Sequence, residues 1–391
     1  MGDKMIPLVK DTIDNKDIDR LIEWLKTYPH LTKGELTIKY EELWARMLGC
    51  KYSVFVNSGS SANLLMLYSL IEAGRLQRGD KVVVPAVSWS TDLAPVVQLG
   101  LKPVLCDCNL DSLSIDIEYF EKLIEEEKPK ALILVSVLGL VPKMGDLAEL
   151  CERNGVILLE DACESLGSEH HFKKLGTFGL MSSFSTYFGH HISTIEGGMV
   201  CTDDEEIFNI LKSIRSHGWD RDLDPTHRDQ LRKKYQVKEF QSLYTFYHHG
   251  FNMRATDLQA FLGIEQLKKI DLIVEKRNSN YNLYNRNIQN DFWMPPISNS
   301  ERYVSSFAYP IIHPNRDLIV EALRENRIAA RPLICGSLGR QPFWVRENGI
   351  LPFKNADVVD KYGLYLPNNH QISNAEIERI CGVVNGAMKD K

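Results

Sequence analysis

The sequence predicts an α/β protein in which a mainly parallel sheet is covered by helices on both faces and followed by a smaller α+β domain. Two observations support this. Helical and strand-like segments alternate through the first two-thirds of the chain, as crossover helices require between parallel strands. Beyond a long amphipathic stretch that ends near residue 286, the alternation gives way to a short mixed pattern.

Residues 53–56 are strand-like, and 61–73 carry apolar side chains at helical spacing. A β-branched strand at 81–85 and strand patterns at 103–106, 131–137 and 156–160 follow, with helical patterns at 117–127 and 145–153 between them. Ligands in such sheets bind at the carboxyl ends of strands, so the residues just beyond each strand are the first candidates for chemistry. One long helix is expected from 257 to about 286, with Leu258, Leu262, Leu267 and Ile270 on its apolar face. A strand at 305–312, a helix at 317–326 and a closing helix at 374–388 complete the chain. The expected division is residues 1–256 for the large domain and 257–391 for the connecting helix and small domain, consistent with a length that favours two cores. Residues 220–243 are polar and weakly periodic, the character of a surface excursion or lid.

Composition narrows the function. Hydrophobic residues make up 44% and charged residues 25% of 391, an ordinary globular balance. A formal net charge of −6 argues against a general nucleic-acid binder. Residues 1–10 are mixed and charged rather than signal-like, and the apolar run at 131–141 is too short to cross a membrane. Eight scattered cysteines suit a reducing cytoplasm. Cys106 and Cys108 form the only close pair, and no second pair follows at zinc spacing, so no metal site is expected.

Three clusters could carry chemistry. Asn57, Ser58, Gly59, Ser60, Ser61, Ala62 and Asn63 lie between a strand and a helix. Small residues and hydroxyls at a helix N-terminus suit a phosphate, and they equally suit a plain N-cap. Glu160, Asp161, Ala162, Cys163 and Glu164 close a buried strand. An acid there needs a cation or donor; a protonated pyridine nitrogen would serve Asp161, as would a helix cap or structural salt bridge. The third cluster runs from Ser183 through Ser185 to His190 and His191, then to Glu196, Gly197 and Gly198. In a strand at most one of the two histidines would face a given site, and taken alone both read as packing residues.

Together the clusters resemble the DegT/DnrJ/EryC1/StrS family of sugar-nucleotide enzymes, a branch of the fold-type I pyridoxal phosphate (PLP)-dependent aminotransferases. The resemblance spans nearly the whole chain: Ser58-Gly59-Ser60, Asp161-Ala162-Cys163-Glu164, Ser185, Glu196-Gly197-Gly198, Gly250-Phe251-Asn252-Met253-Arg254 and Leu258-Gln259-Ala260. Most members place a cofactor-linking lysine five residues after the serine matching Ser185, where this chain has His190. That departure resembles the sugar 3-dehydratase branch, as do Trp89 within Pro85-Ala86-Val87-Ser88-Trp89-Ser90-Thr91, His217-Gly218-Trp219, Arg331-Pro332 and Asn369-His370-Gln371.

The resemblance implies that Ser58, Gly59, Ser60 and Ser185 hold the phosphate of PLP or its amine form, pyridoxamine phosphate (PMP). It implies that Trp89 stacks on the ring, Asp161 pairs with the ring nitrogen and Glu164 lies near the ring oxygen. Asn252 would reach the phosphate in a partner subunit, making a homodimer with shared sites, and Arg221 and Arg331 would contact substrate. The implied reaction removes the C3 hydroxyl of a 4-keto-6-deoxyhexose nucleotide, GDP-4-keto-6-deoxymannose being the expected substrate, with glutamate as amino donor and His190 as base. An imidazole cannot make the covalent link that a lysine amine makes, so noncovalent cofactor binding is expected, with His190 titrating near its ordinary value of about 6.5. A second dehydratase branch carries an iron–sulfur cluster on a Cys-x-Cys pair after its histidine; here only Cys201, Cys335 and Cys381 follow, well separated, and no cluster is expected. An aminotransferase-like enzyme with altered chemistry and a non-catalytic cofactor-binding protein are the alternatives.

Overall fold

The computed structural model describes residues 5–389. Seven strands form the main sheet: β1 (Tyr52–Val56), β2 (Lys81–Pro85), β3 (Lys102–Cys106), β4 (Ala131–Val135), β5 (Ile157–Asp161), β6 (Met181–Ser185) and β7 (Gly198–Thr202). Their spatial order is β1-β7-β6-β5-β4-β2-β3. The sheet is parallel from β3 to β6, while β7 runs antiparallel to both β6 and β1. The carboxyl ends of β1, β2, β4, β5 and β6 therefore share one edge of the sheet.

Crossover helices cover the sheet, among them Gly59–Glu72, Ser90–Gln98, Ile117–Glu127, Met144–Arg153 and Glu205–Arg215. Val82, Val83 and Val84 of β2 and Leu132 and Ile133 of β4 are fully buried, each worth about 1.5–3 kcal/mol of transfer from water. Alternation along β5 separates two adjacent acids. Glu160 faces away from the cavity described below and is satisfied by the backbone N–H groups of Gly176, Phe178 and Gly179 at 2.6–2.7 Å. Asp161 points the other way.

Several elements differ from the sequence pattern. Two helices, Asn15–Leu25 and Glu35–Leu48, precede β1; Tyr40 and Trp44 of the second pack with Phe55 and Phe184 in an aromatic cluster. The expected helix at 257–286 is two, Asp257–Leu267 and Ile270–Asn287. At the break Lys269 donates to Asp14 and Asp17, each at 2.6 Å, so its partners lie some 250 positions away in sequence. The expected excursion at 220–243 contains two short helices, Pro225–Lys234 and Glu239–Ser242, tethered by an Arg232–Asp220 ion pair at 2.7 Å. The C-terminal part holds an antiparallel sheet of β8 (Tyr309–Ile312), β9 (Arg331–Pro332) and β10 (Gly363–Leu366) in the order β8-β10-β9, backed by helices Arg316–Glu325 and Asn374–Lys389. No helix among the described residues is long and apolar enough to cross a membrane.

Candidate active site

At the shared edge of the sheet lies a cavity of about 510 Å3. Ser58, Gly59, Ser60, Trp89, Asp161, Glu164, Ser185, His190 and Arg331 all line it. The structure thus brings together nine of the eleven candidates, drawn from segments spread between residues 58 and 331.

One end of the cavity is built for an anion. The 14-residue helix Gly59–Glu72 starts there, directing its positive end and free N–H groups inward. Ser58 is also its N-cap, accepting the Ser61 N–H at 3.1 Å, so the capping and anion-binding readings describe one turn. The backbones must stay close: a methyl group on Gly59 would come 2.8 Å from Ser185 Cβ, and one on Gly198 would come 2.3 Å from Ser58 O.

The floor is acidic. Asp161 is buried; its Oδ1 accepts the Cys163 N–H at 2.9 Å and its Oδ2 accepts Asn63 Nδ2 at 2.6 Å. Glu164 accepts the Leu138 N–H at 2.7 Å. Burial pushes its carboxyl up to about 8 against the pull of that N–H, and the nearby Asp161 adds to the rise. Above the floor Trp89 is 55% exposed, leaving its indole free to cover a flat ligand.

His190 is not in a strand. It lies in the turn after β6, where its N–H donates to Tyr187 O at 2.9 Å. Its ring packs at 5.2 Å from Phe307, and its Nδ1 is buried without a hydrogen-bond partner. Burial lowers its pKa to about 4; Asp161 opposes that shift and Arg277 adds to it. The imidazole is thus neutral at physiological pH, well clear of the titration range near 6.5 that the sequence led one to expect. His191 differs: fully buried, it places Nε2 3.0 Å from both Ser305 O and Ser305 Oγ, and it does not line the cavity.

Asn252 and Arg221 lie elsewhere. They border a second cavity, about 360 Å3, with Thr32, Lys33, Trp219 and Arg254 among its walls. Asn252 is exposed, and the Arg221 guanidinium sits 4.0 Å from the Trp219 ring centroid.

Sequence reasoning missed three contributors. Asn63 belonged to a quoted cluster, yet only the phase of its helix turns its amide onto Asp161. Asp92 lines the cavity three residues after Trp89. Arg277, fully buried, donates to the carbonyls of Ser306, Phe307, Asn368 and His190 at 2.6–3.3 Å, which pins the histidine turn. Nothing in the local sequence separates Arg277 from a surface arginine.

The chemistry of these donors fits a phosphorylated pyridine: hydroxyls and a helix N-terminus for the phosphate, a buried acid with no ion-pair partner among the described residues for the ring nitrogen, and an open indole for the ring face. Together with the sheet order, this defines a protein of the PLP-dependent aminotransferase fold. Residues 11–385 match the DegT/DnrJ/EryC1/StrS aminotransferase family, and the chain belongs to that family.

The chain is similar to GDP-4-keto-6-deoxy-D-mannose 3-dehydratase of Yersinia pseudotuberculosis, 35% identical over 386 residues and 95% of each chain. It is 34% identical over 382 residues to the protein of the same name from Escherichia coli O55:H7, covering 94% of this chain and 95% of that one. Among solved structures, a GDP-4-keto-6-deoxymannose-3-dehydratase with a trapped PLP-glutamate geminal diamine aligns with a TM-score of 0.88 at 32% identity, over 97% of this chain and 100% of that one.

Proposed function

We propose that the chain is a PLP/PMP-dependent sugar-nucleotide 3-dehydratase that removes the C3 hydroxyl of GDP-4-keto-6-deoxymannose, with glutamate as amino donor. The observation that carries this reading is His190, an imidazole in the Asp161 cavity at the position where most of the family carries lysine. When bound, the cofactor supplies an amine for the sugar ketone and a ring that accepts an electron pair.

The protein's own residues divide the remaining work. Ser58, Ser60 and Ser185 hold the phosphate with the backbone at Gly59. Asp161 keeps the ring nitrogen protonated, Trp89 covers the ring face, and Glu164 meets the ring oxygen. His190, neutral at working pH, takes a proton from the cofactor's C4′ and delivers one to the departing C3 oxygen. Arg331, exposed on the cavity wall, meets the substrate.

The working unit in this reading is a cytoplasmic homodimer. Asn252 serves the phosphate of the neighbouring subunit and Arg221 its substrate. What supports this is their place outside the Asp161 cavity of their own chain.

Incubation with PLP, glutamate and GDP-4-keto-6-deoxymannose tests the reading. A ketose lighter than substrate by one oxygen atom, with release of ammonia, is the expected product. A 4-amino sugar would make the chain an aminotransferase, and bound cofactor without turnover would make it a non-catalytic family member.

A further inference from the structure

Asp92 is fully buried in the Ser90–Gln98 helix, and the chemistry assigned above leaves it without a task. Its Oδ2 accepts the Trp89 N–H at 3.0 Å. Its Oδ1 accepts Asn63 Nδ2 at 3.0 Å, and the same nitrogen donates to Asp161 Oδ2 at 2.6 Å. The Ser183 hydroxyl donates to Asn63 Oδ1, so the orientation of the amide is fixed. Two carboxyl groups thus converge on one amide. Among the described residues no Lys, Arg or His forms an ion pair with either. The other titratable groups facing Asp92 are Glu164 and the thiols of Cys163 and Cys335, none of them cationic. Two buried like charges at such range cannot both persist, and one site must hold a proton. Desolvation, reinforced by Asp161, raises Asp92 well above the usual carboxylate range.

We propose that Asp92 is a positioning residue: a neutral acid that ties Trp89 and Asp161 into one unit and holds this pair of carboxyls at a single negative charge, matched to one protonated ring nitrogen. This rests on the cofactor reading above. The Asp92 helix presents the indole while its carboxyl braces the acid beneath it, so the stacking group and the ring-nitrogen partner keep a fixed relation. A neutral Asp92 also spares the site a second charge that would have to be desolvated.

Two variants test this, Asp92→Asn, which keeps the shape and one accepting oxygen, carries a donor in place of the acid proton and cannot ionise, and Asp92→Ala, which removes the brace. PLP binding is read by equilibrium dialysis, and melting of the cofactor-free protein is followed between pH 5 and 9. Asp92→Asn should bind PLP within about threefold of wild type, and Asp92→Ala about tenfold more weakly, the scale of one lost hydrogen bond. A carboxyl raised in the folded state gives stability that is complete below its unfolded value of about 3.9 and is lost as pH rises toward its folded value. Asp92→Asn should therefore lose less stability than wild type between pH 5 and 9; Glu164 contributes a slope of the same sign to both proteins and cancels in the difference. Tenfold weaker PLP binding by Asp92→Asn, wild-type binding by Asp92→Ala, or parallel melting curves would each overturn the proposal. Failure of the wild-type protein to bind PLP would instead sink the cofactor reading, while the melting curves would still judge the protonation of Asp92.

Discussion

The two cavities that hold the candidate residues are unequal in kind. The first, about 510 Å3, combines a helix N-terminus, a buried acid, an open indole and an imidazole within one chain. The second, about 360 Å3, offers Asn252, Arg221 and Arg254 around an outward-facing surface without a histidine. One carries nearly every chemical part a phosphorylated ring requires; the other carries cations that are already engaged, Lys33 with Asp222 at 3.0 Å and Arg221 with the Trp219 ring. The contrast turns on whether residues serving one reaction must meet within a single chain: the dimer reading assigns the donors of the second cavity to a neighbour's site.

The largest expected effect falls on the first cavity. His190→Asn should lower the dehydration rate by about 10²–10⁴-fold, the usual worth of a general acid–base group, while PLP uptake measured by dialysis stays unchanged. Undiminished turnover would remove His190 from the chemistry.

Next in size is Asp161→Ala. Losing a buried charge partner should weaken PLP binding by about 10- to 100-fold, and wild-type affinity would leave the floor without a role. The second cavity is tested by mixing. In a dimer of one His190→Asn and one Asn252→Ala subunit, shared sites would leave one site with both residues intact. Activity of the mixture should then exceed the mean of the two parents, whereas activity equal to that mean would make the sites self-contained.

The smallest effect concerns pH. Because the Glu164 carboxyl is raised to about 8, the stability it contributes is complete below its unfolded value of about 4.3 and is lost as pH rises through 8. Cofactor-free Glu164→Gln should melt with a shallower decline between pH 6 and 9 than wild type. Identical slopes would show that Glu164 is already ionised.

These features were not equally legible in the sequence. The strand at 81–85 was, and so was the one expected at 131–137, which ends two residues earlier at Val135, because β-branched and apolar runs have few other uses; so too was the Ser58 turn, whose small polar residues mark a helix start. The break at Lys269 was not, since an apolar period continues through it and the partners that meet Lys269 there, Asp14 and Asp17, are remote in sequence. The resemblance set His190 ahead of His191, but the physical reason for that order needed the structure. The two histidines occupy a turn rather than a strand, and their separation comes from contacts with Phe307 and Ser305. Asp92 and Asn63 follow the same logic, since their meeting depends on how two helices dock and no short motif encodes that. His190 stood out through family resemblance alone; its neutral state depends on burial and on Arg277, both set by the packed C-terminal part.

The central claim, that an imidazole replaces the lysine and leaves the cofactor noncovalently held, has one direct test. Wild-type protein loaded with PLP is treated with borohydride, denatured, and weighed intact by mass spectrometry beside His190→Lys treated in the same way. Wild type should keep its unmodified mass and His190→Lys should gain one reduced cofactor; a cofactor adduct on the wild-type chain would contradict the claim.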